Sequence, residues 1–301
     1  MKIIFYNHYH RGDIHFSRSF VEHTVRSLRE TREDIEFLYM HQNSPDTVSD
    51  IANVSEVANQ QILWPNKVQI VSGVQEDGEL LLGINTWVGS SDDFRKDCGC
   101  CFTGNLKLWQ TIWNTIDNDH GLKVAPPSNT DDLLPKIDYD HYHHCSFVDD
   151  HLRATESKYS KRIFVSNGPV LSSQAVNFDF DPIIMKIAED HPECAFYMTD
   201  NSSLEGSNIY STRELINKDG CDLNENSYLS RSCDVLVGRA SGPFAFSCCH
   251  DNFMDKNKTL CIFTNGIGEG AWFTGGQCTY EWCKSEDLVK IENIIRTSIG
   301  E

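Results

Sequence analysis

Apolar positions along the first forty residues follow two different periods. Residues 2–6 form a short, mostly apolar run of the kind that makes a buried strand. After a polar stretch at 7–13, Phe16, Phe20, Val21, Val25 and Leu28 fall on one helical face, and the pattern closes in the charged run 29–34. Residues 35–40 return to strand character. Strand, loop, helix and strand in this order predict a parallel sheet with helical crossovers.

Further along, strands are predicted at 68–71, 80–82 and 84–88. Leu106, Trp109, Ile112, Trp113 and Ile116 then recur at helical offsets. Residues 117–140, rich in Pro, Asp and Asn, read as a long loop. A second alternating series starts at Lys161, with strands predicted at 162–165, 195–198, 235–237 and 259–263. Helices are predicted at 182–189, 228–233, 244–249 and 286–297. Ser285 reads as the N-cap of the last helix, with Leu288, Val289, Ile291, Ile294 and Ile295 on its apolar side. Two such series imply an α/β chain of two Rossmann-like domains, 1–157 and 158–301, facing each other across a cleft. Ligands of such sheets sit beyond the carboxyl ends of the strands, which singles out the loops after Tyr6, Val165 and Val237.

A chain of 301 residues, 40% apolar and 23% charged, has the size and composition for two packed cores. Its 44 acidic against 26 basic residues give a net charge of −18, which disfavours nucleic acid and anionic membrane surfaces as partners. A nucleotide diphosphate remains compatible, because a few backbone N–H groups at a helix start can hold it. No apolar window reaches the roughly 18 residues of a membrane span, and Asn7-His8 interrupts the start before a signal sequence forms. The expectation is a cytoplasmic protein without an integral membrane segment, its twelve cysteines free thiols.

The loop after the first strand carries His8, His10, Arg11, Gly12, Asp13 and His15. Gly12 permits a tight turn, and Asp13 then stands near a helix start, either as a cap or as a general base. In the loop after Val237, Arg239, Ser241, Gly242, Pro243 and Phe244 lead from a strand into a helix, with Arg239 positioned to grip a phosphate. Ser166, Asn167 and Gly168 form the corresponding turn after Val165, with Ser172 and Ser173 as further polar groups. Asn85 and Trp87 share a strand face, where the Trp ring would stack on a sugar, or simply fill a half-buried sheet edge. Zinc is a weaker reading: Cys98 and Cys101 have ligand spacing, but no second such pair exists, and His141, His144 or Cys145 would have to fold back to complete it. Cys248 and Cys249 read as buried packing residues.

Taken together, Gly12-Asp13-Ile14 after the first strand, then Ser232-Cys233-Asp234-Val235-Leu236-Val237-Gly238 and Ser241-Gly242-Pro243-Phe244, resemble the heptosyltransferase-like family of GT-B glycosyltransferases. The resemblance implies transfer of a sugar from a nucleotide-sugar co-substrate to a glycan-type or other hydroxyl acceptor, inverting and without a metal or other cofactor. Asp13 would be the base, with His10 and His15 tuning it. His8, Arg11, Gly12, Asn85 and Trp87 would line the acceptor site, and Ser166, Asn167, Gly168, Arg239 and 241–244 the donor site. One departure is Ala240, where the family carries an Asp. The alternatives are a sugar- or nucleotide-binding protein without turnover and a GT-B-shaped sugar-nucleotide epimerase.

Overall fold

The computed structural model describes residues 1–76, 78–90, 102–171, 174–200, 204–265 and 276–301. The described residues divide into two compact units, Met1–Asp138 and those from Tyr139 onward. Residues 139–157 therefore go with the second unit, because helix α3 (Cys145–Ala154) is tied into it. Tyr228 donates to Asp149 at 2.8 Å, and His144, just before α3, meets the Ile216 carbonyl at 3.0 Å.

In the first unit, five strands are ordered β3-β2-β1-β5-β4: β1 (Lys2–Asn7), β2 (Glu36–His41), β3 (Ser55–Val57), β4 (Ile70–Val74) and β5 (Leu80–Asn85). The apolar run of β1 takes the central place, parallel to β2 and β5, and β4 closes one edge antiparallel to β5. Helix α1 (Arg11–Arg29) lays Phe20 edge-on to Phe5 at 6.1 Å, and Phe20 stacks on Trp109 of α2 (Phe102–His120) at 5.4 Å. The periodic positions seen in the sequence thus bind α1 and α2 to the sheet as one core.

Two buried charges brace the 44–56 segment of this unit. Arg18 is fully buried in α1 and donates through Nη1 to both oxygens of Asp50, at 2.5 and 2.7 Å, and through Nη2 to the Thr47 carbonyl. Glu56 accepts from His41 Nε2 at 2.8 Å and from the N–H groups of Asp46, Thr47 and Val48 at 2.8 to 3.0 Å. Burial works against the Glu56 charge, but His41 and these N–H groups outweigh it and hold the carboxyl below its ordinary range.

The second unit carries six parallel strands ordered β11-β10-β9-β6-β7-β8. They are β6 (Lys161–Ser166), β7 (Cys194–Met198), β8 (Ile209–Ser211), β9 (Val235–Arg239), β10 (Thr259–Thr264) and β11 (Thr279–Lys284). The chain moves outward from β6 to β8, then returns to β9 and moves outward the other way. The switch point therefore lies between the carboxyl ends of β6 and β9, where such sheets bind ligands. The helices are α4 (Asp181–Asp190), α5 (Thr212–Ile216), α6 (Leu223–Ser230), α7 (Gly242–Ser247), α8 (His250–Met254) and α9 (Leu288–Ile299).

Four local expectations change. The strands predicted at 80–82 and 84–88 are the single strand β5, which ends at Asn85 and leaves Trp87 beyond it, so Asn85 and Trp87 do not share a strand face. The helix predicted at 228–233 occupies Leu223–Ser230 instead. Asp287, not Ser285, caps α9, accepting the Lys290 N–H at 3.0 Å, while Ser285 is buried and donates to Asn265 at 2.5 Å. Leu288 and Val289 consequently lie in the first exposed turn, and Ile291, Ile295 and Ile299 carry the burial.

Removing one partner of a buried ion pair leaves the other charge uncompensated. Asp50→Ala should therefore destabilise the first unit by about 3–5 kcal/mol, read by urea denaturation; a loss below about 1 kcal/mol, typical of a surface pair, would contradict the buried pairing.

Candidate functional site

Asp13 is the third residue of α1, half-buried at the carboxyl end of β1. Burial pushes its carboxyl up to about 6, against the opposing pull of the His10 charge and of the backbone N–H groups of His10 and Asp13. The N-cap position itself belongs to His10, which makes no side-chain cap; Asp13 lies in the first turn, where its charge faces the helix start and its raised pKa lies near neutral pH. Beside it runs a buried hydroxyl chain, with Ser17 Oγ and Thr86 Oγ1 each 2.8 Å from the Tyr39 hydroxyl. Asn7 donates to Thr86 at 3.2 Å and accepts the Tyr9 N–H at 2.9 Å, which sets the path of the loop leaving β1. Burial, with the negative charge of Asp13 adding to it, pushes the Tyr39 hydroxyl up to about 12 despite its hydrogen bonds, so it stays protonated.

The other candidates of this unit separate by direction. His10 is exposed at the N-cap, and Gly12 is buried in the first turn of α1. Arg11 donates to Ser44. His8 sits edge-on to Tyr6 at 5.6 Å, and burial lowers its pKa, with a hydrogen bond donated to the Trp64 backbone carbonyl opposing. His15 is buried in α1 beside the ring of Phe16, which turns it away from an accessible tuning role. Asn85 is also buried: it donates to the carbonyls of Asn66 and Val68 at 3.0 and 3.2 Å and accepts the Trp87 N–H at 3.1 Å. It shapes the loop rather than facing a ligand. Trp87 stacks on Tyr9 at 3.7 Å, with the Lys67 ammonium 5.6 Å from its ring, so an aromatic pair stands at the end of β5.

In the second unit the loops after β6 and β9 meet at the switch point. Arg239 is the residue that joins them, and it points inward. Its guanidinium donates to the carbonyls of Phe178, Asn167 and Gly168, the last at 2.8 Å, and lies over the rings of Phe178 and Phe180 at 5.2 and 4.9 Å. The expected phosphate grip is thereby replaced by a loop-fastening role. Asn167 is likewise engaged, accepting the Asp200 N–H at 2.8 Å. Gly238 is required because a Cβ there would overlap the ring of Phe244. Ser241 caps α7 by accepting the Phe244 N–H at 3.3 Å, and Pro243 has no N–H, so this six-residue helix start offers few donors. Gly168 lies near Pro243 and Asp200, and the Ser166 hydroxyl is buried at the end of β6 without a hydrogen-bond partner among the described residues.

Ser172, Ser173, Cys98 and Cys101 lie outside the described residues. Cys145, Cys248 and Cys249 are buried free thiols. Sequence reasoning missed Tyr39, Ser17 and Thr86, which look like ordinary strand and helix residues, and Tyr9, an aromatic among the polar residues of the first loop; Asn7, directly after the predicted strand, was the one visible signal.

No family model and no curated protein matches the sequence. Solved structures do match in fold. A glycosyl transferase family 9 structure from Veillonella parvula aligns with 98% of this chain and 89% of its own, with TM-score 0.52 and 11% identity. The E. coli heptosyltransferase WaaC with ADP-2-deoxy-2-fluoro heptose aligns over 99% of each chain, with TM-score 0.51 and 8% identity. The chain has the GT-B fold of two Rossmann-like units, as its motif order implied.

The fastening role of Arg239 is measurable. Arg239→Ala should destabilise the second unit by about 3 kcal/mol, because buried carbonyls lose a charged donor, and Arg239→Lys should recover little of it, since a compact ammonium lacks the planar fork that reaches Phe178 on one side and Asn167 and Gly168 on the other. Chemical denaturation checks both, and an unchanged Arg239→Ala midpoint would return the guanidinium to a ligand-binding role.

Proposed function

We propose that the chain transfers a sugar from a nucleotide-sugar donor to a hydroxyl acceptor, with inversion, and that Asp13 is the general base. The observation that carries the reading is Asp13 itself: a half-buried carboxyl at the end of the central strand, raised to about 6, in a chain of GT-B fold. A base of that strength is ionised at pH 7 yet basic enough to draw a proton from a hydroxyl as its oxygen attacks.

The acceptor hydroxyl gives its proton to Asp13 while its oxygen bonds to the anomeric carbon, and the nucleotide diphosphate leaves with the electrons of the broken bond. The Tyr39 chain holds α1 at Ser17, one turn beyond Asp13, and so fixes where the helix start lies. The stacked pair Tyr9 and Trp87 provides an aromatic face suited to a sugar ring. On the donor side, the Ser166 hydroxyl, the Gly168 loop and the Gly242 N–H are the groups we assign to the nucleotide sugar, with Arg239 fixing their spacing. The WaaC structure holds an ADP-sugar analogue, which supports a nucleotide-sugar donor here. The rival reading, a binding protein without turnover, draws on Ala240 and on the inward turn of Arg239.

Thermal-shift screening against nucleoside diphosphates and their sugars identifies the donor, since a ligand at about 100 times its Kd stabilises by roughly 2.7 kcal/mol. With that donor, Asp13→Asn should lower transfer by about 10²–10⁴-fold while leaving donor affinity unchanged. In the parent, kcat/KM should climb about tenfold per pH unit below 6 and level off above it, because the active form is the carboxylate. Donor binding with no transfer to any hydroxyl acceptor, in parent and variant alike, favours the binding protein. Transfer should also survive chelation by EDTA, and full loss restored by Mg²⁺ or Mn²⁺ would defeat the metal-independent mechanism.

A further inference from the structure

The turn between α4 and β7 lies at the amino end of the second sheet, away from the loops of Gly168 and Arg239. Within four consecutive residues it brings together an imidazole, a carboxylate and a thiol. His191 Nδ1 is 3.0 Å from Glu193 Oε1, that oxygen is 3.9 Å from Cys194 Sγ, and the three atoms all lie within 4.8 Å of one another. The transfer reaction has no use for them.

This turn is built in advance of any ligand. The buried side chain of Asn208 donates to the carbonyls of Ala188, His191 and Cys194 at 3.0, 3.2 and 3.0 Å, which fixes the backbone on both sides of the trio. The outer nitrogen of the ring, His191 Nε2, is 2.5 Å from Glu301 Oε1, and Arg296 holds Glu301 at 2.7 Å and Asp190 at 2.7 Å. A carboxylate on the outer nitrogen orients an imidazole and leaves its inner nitrogen as the donor atom, as it does for metal-bound histidines. Nitrogen, oxygen and sulfur donors together suit a borderline-soft divalent ion and not Mg²⁺ or Ca²⁺, which take oxygen ligands.

We propose that His191, Glu193 and Cys194 form a zinc site, with a water in the fourth position and Glu301 orienting His191. Zinc takes the place of the protons on Nδ1 and Sγ, which pass to solvent. Bound there, the ion ties the end of α4 and the start of β7 into a single cross-link.

Cobalt(II) is the probe, because thiolate ligation gives it a near-ultraviolet charge-transfer band. Anaerobic titration of the reduced full chain should show such a band at one equivalent, displaced by Zn²⁺ and lost in Cys194→Ser. Glu193→Gln, a change at an exposed side chain, should weaken the metal roughly tenfold or more. It decides the matter if Cys194→Ser does not fold. The proposal is overturned by absence of the band in the parent, by unchanged affinity in Glu193→Gln, or by a band that survives Cys194→Ser. That last result would move the thiolate elsewhere, to Cys98 or Cys101 for example.

Discussion

A guanidinium keeps its proton at any pH the protein meets, so once β9 carries Arg239 into the interior, acceptors must be brought to it. Carbonyls from two separate stretches answer: Asn167 and Gly168 after β6, and Phe178 ahead of α4. Those stretches cannot shift independently without stranding the charge. The geometry of the switch point in the second unit follows from this one demand, and so does the packing of Phe178 and Phe180 beneath the guanidinium plane. The absence of a side chain at Gly238, which lets Phe244 close over the strand, completes the same corner.

The first unit organises the end of its central strand with neutral groups. Ser17, Tyr39, Thr86 and Asn7, all neutral, pass hydrogen bonds from α1 through β2 to the ends of β5 and β1. Among the described residues no Lys or Arg charge acts on Asp13, and this has a chemical result. A buried Arg placed there, like the one that holds Asp50, would pull the carboxyl down and make it a poor base, whereas hydroxyls leave desolvation in command.

Much of this architecture is written in local pattern. The apolar runs of β1, β6, β9 and β10 and the stripe of α1 are visible in the sequence, and the loops they position follow from the rule for parallel sheets. What escaped has physical causes. β3 and β8 are three-residue edge strands, too short to show a period. α6 has no apolar stripe because Asn224, Glu225, Asn226, Ser227 and Ser230 are buried among polar partners, so periodicity is silent there. Arg239 and Asn85 read as ligand-facing because a polar residue at a strand end usually is, and only acceptors distant in sequence, or across a loop, turn them inward. The place of Asp13, by contrast, was legible directly, since the Gly-Asp pair after a first strand is a contiguous signal for a helix start at the strand's carboxyl end.

The buried thiols bear on how the chain reaches this state. Nine described cysteines are free and buried, several in or beside the parallel strands β7, β9, β10 and β11. Parallel sheets form from contacts distant along the chain and so assemble slowly, leaving these sulfurs open to solvent while strands search for register. The native protein shields these nine cysteines, but the unfolded chain does not, and refolding in an oxidising buffer would convert a slow search into a covalent trap. Yield on refolding should thus depend on a reductant far more than the survival of the finished fold does.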